Sequence, residues 1–210
     1  TLVDEFKSVI GKWYPTMRNN DDYSAVINDR QHQRLQGYLK DAEEKGATII
    51  PINPANEDFT GTRKMPLTIV LNTNEDMLVE QDEIFGPILI IKPYESLDEA
   101  INYVNDRPRP LALYYFDFND SRADYVLRHT HSGGVCINDI TLQYVQEDLP
   151  FGGIGASGMG AYHGPEGFRN MSHARAIYSQ TMIDVLPIIG ARPPFGEKFR
   201  KTISKILGPI

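Results

Sequence analysis

Cysteine is almost absent from this sequence, since Cys136 is the single one among 210 residues. No disulfide can form within the chain, and this cysteine usage is typical of a reducing compartment, so we expect a cytoplasmic location. The sequence also lacks a basic excess, with a net charge of -7, and any apolar run of membrane-spanning length. These absences argue against a general nucleic-acid-binding surface and against a transmembrane helix.

The residues that are present have the composition of a globular protein, with 41% hydrophobic and 23% charged residues. The length allows one large domain or two small ones. The chain opens without methionine or a signal-peptide pattern, and apolar residues recur at helical spacing from its second position: Leu2, Val3, Phe6, Val9, Ile10 and Trp13. Because such a helix would begin without a capping residue, we expect the chain to be a segment of a longer protein.

Apolar periodicity and turn residues predict helices alternating with strands. Helices are predicted at 29–45, from Ser96 to the residue before Pro108, and at 121–129 after an Asp120 cap; strands are predicted at 47–52, 67–71, 88–93, 111–116 and 134–137. The last three strands and the helices between them predict a parallel unit with right-handed crossovers. We therefore predict an α/β fold, mainly a parallel sheet with flanking helices, in which ligands bind at the carboxyl ends of strands.

One stretch, Glu83-Ile84-Phe85-Gly86-Pro87, precedes the strand predicted at 88–93. Gly86-Pro87 predicts a turn of defined geometry, because proline fixes its own φ and restricts the residue before it. From such a loop, Glu83 can accept hydrogen bonds from sugar hydroxyls and Phe85 can pack on a flat heterocycle. The alternative from spacing alone is that Phe85 is a core residue and Glu83 a solvated loop charge.

The sequence of this stretch resembles the Glu-Ile-Phe-Gly-Pro signature of the aldehyde dehydrogenase superfamily. Further landmarks follow in the family's order: Ser132-Gly133-Gly134-Val135 before Asn138-Asp139, Leu149-Pro150-Phe151-Gly152-Gly153, and Ser157-Gly158-Met159-Gly160-Ala161-Tyr162-His163-Gly164. The last is most similar to the class 3 and coniferyl-aldehyde-dehydrogenase-like branch. The resemblance extends roughly from Asp22 to Tyr178.

The resemblance implies that residues 1–180 are the C-terminal part of an aldehyde dehydrogenase catalytic domain and that 181–210 are an extension. The whole enzyme would be a homodimer that oxidises aldehydes to carboxylic acids with NAD or NADP, through thiolate attack on the aldehyde, hydride transfer and thioester hydrolysis. Glu83 would hold the nicotinamide ribose and Phe85 would pack near the ring. A non-catalytic dimerisation or partner-binding module is the alternative; an acyl-phosphate reductase fits the motifs less well.

Cys136 is a candidate nucleophile by residue type alone. It lies, however, in the short apolar strand Val135-Cys136-Ile137, and no flanking base or helix start would activate its thiol. In the family the nucleophile precedes the Glu-Ile-Phe-Gly-Pro signature, whereas Cys136 follows it. We therefore predict that Cys136 is structural and that this chain contains no catalytic residue.

The run Gly153-Ile154-Gly155-Ala156-Ser157-Gly158 matches the spelling of a dinucleotide-binding fingerprint. Neither flank predicts the strand and helix that this motif requires, so we reject it as a phosphate loop. Its glycines instead indicate positive φ angles and close approach to another backbone. By resemblance this region borders the active-site tunnel, and Phe151 would line the aldehyde channel or pack in the core. The aromatic residues of this wall favour aromatic or long-chain apolar aldehydes.

Other polar residues near these motifs have two interpretations. Asn138, at a strand end, can donate to a ligand carbonyl or close its own turn beside Asp139. Tyr162 and His163 can shape the channel or, as a minor option, move a proton. The remaining histidines lack metal-ligand spacing, so we expect no metal site.

The C-terminal tail has a pattern of its own. Phe195, Phe199, Ile203 and Ile206 recur at helical spacing, accompanied by these basic residues: Arg192, Lys198, Arg200, Lys201 and Lys205. This pattern predicts a basic amphipathic helix. Docking onto a dimer is the preferred interpretation, and peripheral contact with an anionic membrane is the alternative.

Overall fold

The computed structural model describes residues 2–208, and these residues form two compact units. The first unit ends at Ala100 and the second begins at Ile101. Thr1, which precedes the predicted N-terminal helix, and residues 209–210 of the predicted 181–210 extension lie outside the described residues. The proposed division at residue 180 stays a prediction.

The first unit is built on a three-stranded sheet in the order β1-β2-β3. Its elements are α1 (Leu2–Trp13), α2 (Asp29–Glu44), β1 (Thr48–Ile52), β2 (Leu67–Leu71), α3 (Leu78–Gln81) and β3 (Ile88–Ile90). β1 runs antiparallel to β2, with Ile50 opposite Ile69, whereas β2 and β3 are parallel, with Ile69 opposite Leu89. The strand predicted at 88–93 is shorter in the structure, since β3 ends at Ile90. The N–H of Ile91 still donates to Val70 O at 3.1 Å, and Pro93 has no N–H with which to extend the ladder.

The central strand β2 is buried on both faces. Val70 belongs to a core cluster with Leu35 and Ala42 of α2, and its neighbour Ile69 belongs to a second cluster with Met17. Successive side chains of a strand point to opposite faces, so the two clusters lie on the two sides of the sheet. Helices α1 and α2 therefore cover opposite faces of this small sheet.

Helix α1 packs through a narrower stripe than its sequence predicts. Phe6 and Ile10 pack against the core cluster around Met17, whereas Trp13 and Leu2 are exposed. Phe6 and Ile10 are one helical turn apart, and Leu2 and Trp13 lie on an adjacent stripe that the sheet does not reach. Leu2 and Trp13 therefore do not join the core of the first unit.

The second unit contains one strand–helix–strand motif. Helix α4 (Leu97–Asn105) crosses the boundary between the units, and β4 (Ala112–Tyr115), α5 (Asp120–His129) and β5 (Gly134–Ile137) follow. β4 and β5 are parallel, with Tyr114 opposite Cys136, which confirms the predicted motif. Within residues 2–208, β3 and β4 belong to different sheets, so the prediction of three successive parallel strands in one sheet is wrong.

Two helix caps differ in detail from their predictions. The side chain of Asn119, rather than that of Asp120, accepts from the N–H of Arg122 at the start of α5. At α4, Ser96 Oγ accepts from the N–H of Glu99 as predicted, but Glu99 accepts from the N–H of Glu95. Asparagine caps as well as aspartate, so the sequence could not decide between neighbours.

The chain ends in short helices and long irregular segments. The helices are α6 (Leu142–Val145), a 3₁₀ turn (Gly155–Ser157), α7 (Gly164–Asn170) and α8 (Glu197–Leu207). α8 is the predicted amphipathic helix, and Thr202 Oγ1 donates to Ile189 O at 3.0 Å. The helix thus packs on residues just before it in the same chain. No helix within residues 2–208 is both long and apolar enough to cross a lipid bilayer.

Candidate functional site

The Glu83–Pro87 loop, between α3 and β3, presents the side chains of Glu83 and Phe85 outward. The ring of Phe85 is 84% exposed, which contradicts the interpretation of this residue as core. Phe85 has a φ of +48°, a strained conformation for a bulky residue. Glu83 is also exposed, and its carboxylate makes no hydrogen bond or ion pair within residues 2–208. A carboxylate and an aromatic ring are therefore both accessible to a ligand.

The base of the loop, in contrast, is tightly packed. A Cβ on Gly86 would overlap Cδ1 of the buried Leu35 and would lie 2.9 Å from its Cδ2. Pro87 O accepts from the N–H of Thr68 at 2.9 Å, and Ile84 packs partly into the core. An added Cβ would have to displace the buried Leu35 side chain, so the backbone at Gly86 rests directly on the core and this contact anchors the outward residues.

A cavity of about 660 Å³ adjoins the loop. Its wall consists of residues 23–28, Gln31 and Leu67 together with residues 85–87. This volume is typical of small-molecule sites. No motif in residues 23–28 indicates that this segment folds against Phe85.

Tyr23 in the cavity wall is held in its neutral form. Its hydroxyl donates to Met65 O at 2.7 Å, and burial, with the nearby Tyr14, raises the pKa of Tyr23 to about 12. The rings of Tyr14 and Tyr23 meet edge to face at 5.5 Å. Tyr23 therefore contributes a neutral aromatic surface to the cavity at physiological pH.

In the second unit, Asn138 forms part of a polar cluster at the carboxyl end of β5. Its Oδ1 accepts from the N–H of Asp117 at 2.8 Å and its Nδ2 donates to Asp117 O at 2.9 Å. Asn138 has a φ of +56°. Both polar groups of the side chain thus bond to the backbone of Asp117. The carboxamide has a second N–H and a second lone pair, so a ligand contact by Asn138, which stays a prediction, can be made beside these bonds.

Asp117 in this cluster is held as a carboxylate by three neighbours. Its oxygens accept from Arg122 Nε at 2.5 Å and Nη2 at 2.7 Å, from the N–H of Asn119 and from the hydroxyl of Tyr115. These contacts keep the pKa of Asp117 well below its usual range, and the hydrogen bonds from Arg122 make the largest contribution.

This pKa predicts a pH-dependent contribution to stability. A lowered folded-state pKa stabilises the fold above the unfolded pKa of about 3.9, and the contribution is lost as pH falls through that value toward the folded pKa. We expect Asp117→Asn to lower the urea midpoint of unfolding at pH 5.5 and to have a smaller effect at pH 3. The control is Asp106→Asn, at an exposed aspartate of the same unit; equal pH dependence in both variants would contradict the prediction.

Phe151, Tyr162 and His163 form an aromatic cluster in the second unit. Phe151 and Tyr162 exchange two backbone hydrogen bonds of 2.8 and 2.9 Å, and their rings meet edge to face at 5.6 Å. The imidazole of His163 lies 4.3 Å from the Tyr162 ring, and its Nδ1 is buried with no hydrogen-bond partner in residues 2–208. The structure brings these three predicted channel residues together.

The glycine run beside this cluster folds on itself. A Cβ on Gly153 would overlap the carbonyl of Ser157, and a Cβ on Gly152 would overlap that of Gly160. Gly155 and Gly158 have φ values of +63° and +146°. Close backbone approach and positive φ thus explain the glycines as predicted, and the 3₁₀ turn Gly155–Ser157 within the run is no helix start for a phosphate.

Cys136 lies in the middle of β5, as predicted, and is a free thiol. It is partly buried rather than fully buried, since β5 belongs to a two-stranded sheet. The predicted cofactor residues lie in the first unit, and the predicted channel residues lie in the second. Within residues 2–208, no group of three or more His, Cys, Asp or Glu side chains is arranged to hold a metal ion.

Comparison with known proteins gives this geometry its family context. The model of the aldehyde dehydrogenase family matches residues 1–177. The chain is 48% identical over 205 residues to a probable coniferyl aldehyde dehydrogenase of Caulobacter vibrioides, a match that covers 97% of this chain and 42% of the relative. It is 42% identical to a coniferyl aldehyde dehydrogenase of a Pseudomonas species, over 99% of this chain and 43% of the relative.

Solved structures show the same relationship. The substrate-bound AldH of Staphylococcus aureus superposes with a TM-score of 0.75 at 32% identity, over 98% of this chain and 43% of that protein. Betaine aldehyde dehydrogenase of the same species, in complex with NAD+, superposes with a TM-score of 0.66 at 26% identity, over 80% of this chain and 34% of that protein. The chain spans less than half the length of these relatives. It belongs to the aldehyde dehydrogenase family.

Proposed function

We propose that this chain is part of an enzyme that oxidises an aldehyde to a carboxylic acid with NAD or NADP. The observation that carries the proposal is the outward-facing pair of Glu83 and Phe85 on an anchored loop beside a cavity of about 660 Å³. Aromatic or long-chain apolar aldehydes are the proposed substrates. The names of the similar coniferyl aldehyde dehydrogenases support the aromatic class.

The loop residues fit a nicotinamide nucleotide. The carboxylate of Glu83 is exposed and has acceptor capacity for the two hydroxyls of a ribose. The exposed ring of Phe85 offers a face to a flat heterocycle. When bound, the nicotinamide supplies a hydride acceptor. The roles of Glu83 and Phe85 are to bind and orient it, so neither residue takes part in bond making.

The aromatic cluster of the second unit is proposed to border the aldehyde channel. Phe151 and Tyr162 supply apolar ring surface, which favours apolar substrates over charged ones. His163 and Asn138 would lie at the edge of this channel, and the engaged side chain of Asn138 favours a structural part for it. A cysteine elsewhere in the enzyme would form the thiohemiacetal with the aldehyde, because Cys136 lies within the β5 ladder.

We further propose that the whole enzyme is a cytoplasmic homodimer. Exposed apolar side chains are frequent between Met171 and Ile189, and Ile177, Tyr178, Met182 and Ile183 are each more than two-thirds exposed. Such surface favours burial against a second subunit. Peripheral membrane contact through α8 is the alternative. Co-sedimentation with anionic liposomes, with and without residues after Arg192, distinguishes the two.

The first test is aldehyde-dependent NAD(P)H production by the protein in which this chain occurs at its natural length. Coniferyl aldehyde and a long-chain aldehyde are the substrates, and Cys136→Ser is the matched variant. We expect turnover in both proteins, with rates within about threefold, because serine is nearly isosteric at a position away from the chemistry. Turnover that depends on Cys136 would contradict the assignment of the nucleophile. Absence of aldehyde oxidation in both proteins would favour the non-catalytic module.

The second test uses the 210-residue chain alone. We expect no aldehyde oxidation and a dissociation constant for NAD weaker than about 1 mM by calorimetry, since contacts from Glu83 and Phe85 alone offset little of the entropy cost of association. Tight binding of NAD by this chain would mean that the nucleotide site lies largely within it.

A further inference from the structure

A single arginine on α2 bridges to the backbone of the Glu83–Pro87 loop. Arg34 Nη1 donates to Glu83 O at 3.1 Å, and Nη2 donates to Ile84 O at 2.6 Å. The same guanidinium donates through Nε to Gln31 Oε1 at 2.6 Å and through Nη1 to the hydroxyl of Tyr38 at 2.8 Å. Four acceptors therefore fix the orientation of one side chain, and two of them are consecutive carbonyls of the loop.

A second set of contacts, made by Tyr38, fixes the position of the Arg34 guanidinium. The hydroxyl of Tyr38 donates to Oδ2 of Asp82, the residue just before the loop, at 2.7 Å. The Arg34 guanidinium carbon lies 4.9 Å from the centroid of the buried Tyr38 ring. Since Tyr38 is buried, the guanidinium is steered by a rigid neighbour rather than by a mobile one.

All of these holding residues share one face of α2. Gln31, Arg34, Leu35 and Tyr38 are spaced i, i+3, i+4 and i+7, so they form one stripe along the helix. Leu35 fills the space under Gly86, and Arg34 holds the carbonyls just before Phe85. The helix thus contacts the loop on both sides of Phe85.

Phe85 needs such support because of its backbone conformation. A bulky residue with a φ of +48° is strained and persists only where the surroundings determine the chain path on either side. The residue's ring is exposed, so packing of the ring does not supply this support. The carbonyl contacts of Arg34 and the contact of Gly86 with Leu35 supply it instead.

We propose that Arg34 is a positioning residue for the cofactor: its guanidinium holds the carbonyls of Glu83 and Ile84 and thereby fixes the direction in which Glu83 and Phe85 face the ligand. The inference rests on the proposed function of these two residues. The planar guanidinium is suited to the task because its fixed fork reaches two carbonyls at once, whereas a lysine ammonium presents one point of contact. Arg34 itself does not touch the reacting atoms.

The structural half of the proposal is tested by backbone ¹⁵N relaxation of the whole enzyme. In the native chain, order parameters of Glu83 to Gly86 are expected near 0.8 or above, and in Arg34→Met they are expected to fall to about 0.6 or below. Arg34→Lys should be intermediate because it retains one donor group. The control is Arg30→Met, at an exposed position of the same helix, which should leave the loop unchanged. Unchanged order parameters in Arg34→Met, with a native-like spectrum elsewhere, would overturn the proposal.

The functional half is tested in the whole enzyme. Arg34→Met is expected to raise the KM for NAD(P) about tenfold and to leave the KM for the aldehyde within twofold, with partial recovery in Arg34→Lys. A mobile loop with an unchanged KM for NAD(P), or equal increases in both KM values, would overturn the positioning role. If the whole enzyme does not use NAD(P), the proposed function is wrong, and so is the cofactor role of Arg34. The order parameters report separately whether Arg34 holds the loop.

Discussion

Replacing Glu83 with glutamine in the whole enzyme is expected to weaken NAD(P) binding by about 10- to 100-fold. Hydrogen bonds to a charged acceptor contribute about 1.5–3 kcal/mol, which corresponds to this range of dissociation constants. The carboxylate of Glu83 is exposed and makes no hydrogen bond or ion pair within residues 2–208. Its loss should therefore leave the free energy of unfolding within about 0.5 kcal/mol of the native value.

The measurement is the dissociation constant of NAD and of NADP by calorimetry, together with the thermal midpoint of the same preparations. Glu43→Gln is the matched control, since Glu43 is an exposed glutamate on α2 outside the loop. Equal binding by Glu83→Gln and the native enzyme would remove Glu83 from the nucleotide site. A fall in stability comparable to the loss of binding would instead assign Glu83 a structural role.

Gly152→Ala is expected to destabilise the fold by about 3 kcal/mol, near the upper end for overpacking. The added Cβ would overlap the carbonyl oxygen of Gly160 and would lie 2.9 Å from Ala161 Cα. Both neighbours are backbone atoms and cannot move aside as a side chain can. The bridge between Phe151 and Tyr162 flanks this contact, so relief of the overlap would have to break its hydrogen bonds.

Gly37→Ala is the matched control for this substitution. Gly37 lies on the exposed side of α2, and a Cβ there would meet nothing within 4 Å. Alanine should stabilise the helix by about 0.4–1 kcal/mol through the lower entropy of the unfolded chain. Urea unfolding followed by far-ultraviolet circular dichroism measures both variants. Changes of the same sign and size in the two variants would show that the close backbone approach at Gly152 is not what selects glycine there.

Periodicity determined the regular elements well where a segment is long or alternates clearly. The helix predicted at 29–45 is α2, which ends before Gly46 with a φ of +94°, and the strand predicted at 67–71 is β2 with the same limits. These elements follow local rules of capping, turns and side-chain period. The parallel pairing of β4 with β5 was predicted, but the division into two sheets was not, because strand pairing depends on residues that are distant in sequence.

At the candidate site, the Glu-Ile-Phe-Gly-Pro signature alone predicts that Glu83 and Phe85 bind the cofactor. Spacing alone favoured a core position for Phe85, and this was wrong because the residue lies on a loop, with a positive φ, and its ring is exposed. No local sequence pattern indicates that Arg34 holds the loop, because Arg34 is 49 residues from Glu83 and 50 residues from Ile84 along the chain. Nor did the sequence indicate that both polar groups of Asn138 bond to Asp117, which is 21 residues away.

The sequence by itself thus determined the family, the α/β class and the identity of the glycine-dependent turns, because short motifs and backbone chemistry act over a few residues. The tertiary structure decided which residues hold those motifs in place. Burial of the core around β2 brings together the chain segments that form these contacts. They are the packing of Leu35 against Gly86, the hydrogen bonds of Arg34 to the carbonyls of Glu83 and Ile84, and the cavity wall at 23–28. Burial of apolar surface is non-directional, and it therefore leaves no local pattern from which its partners can be read.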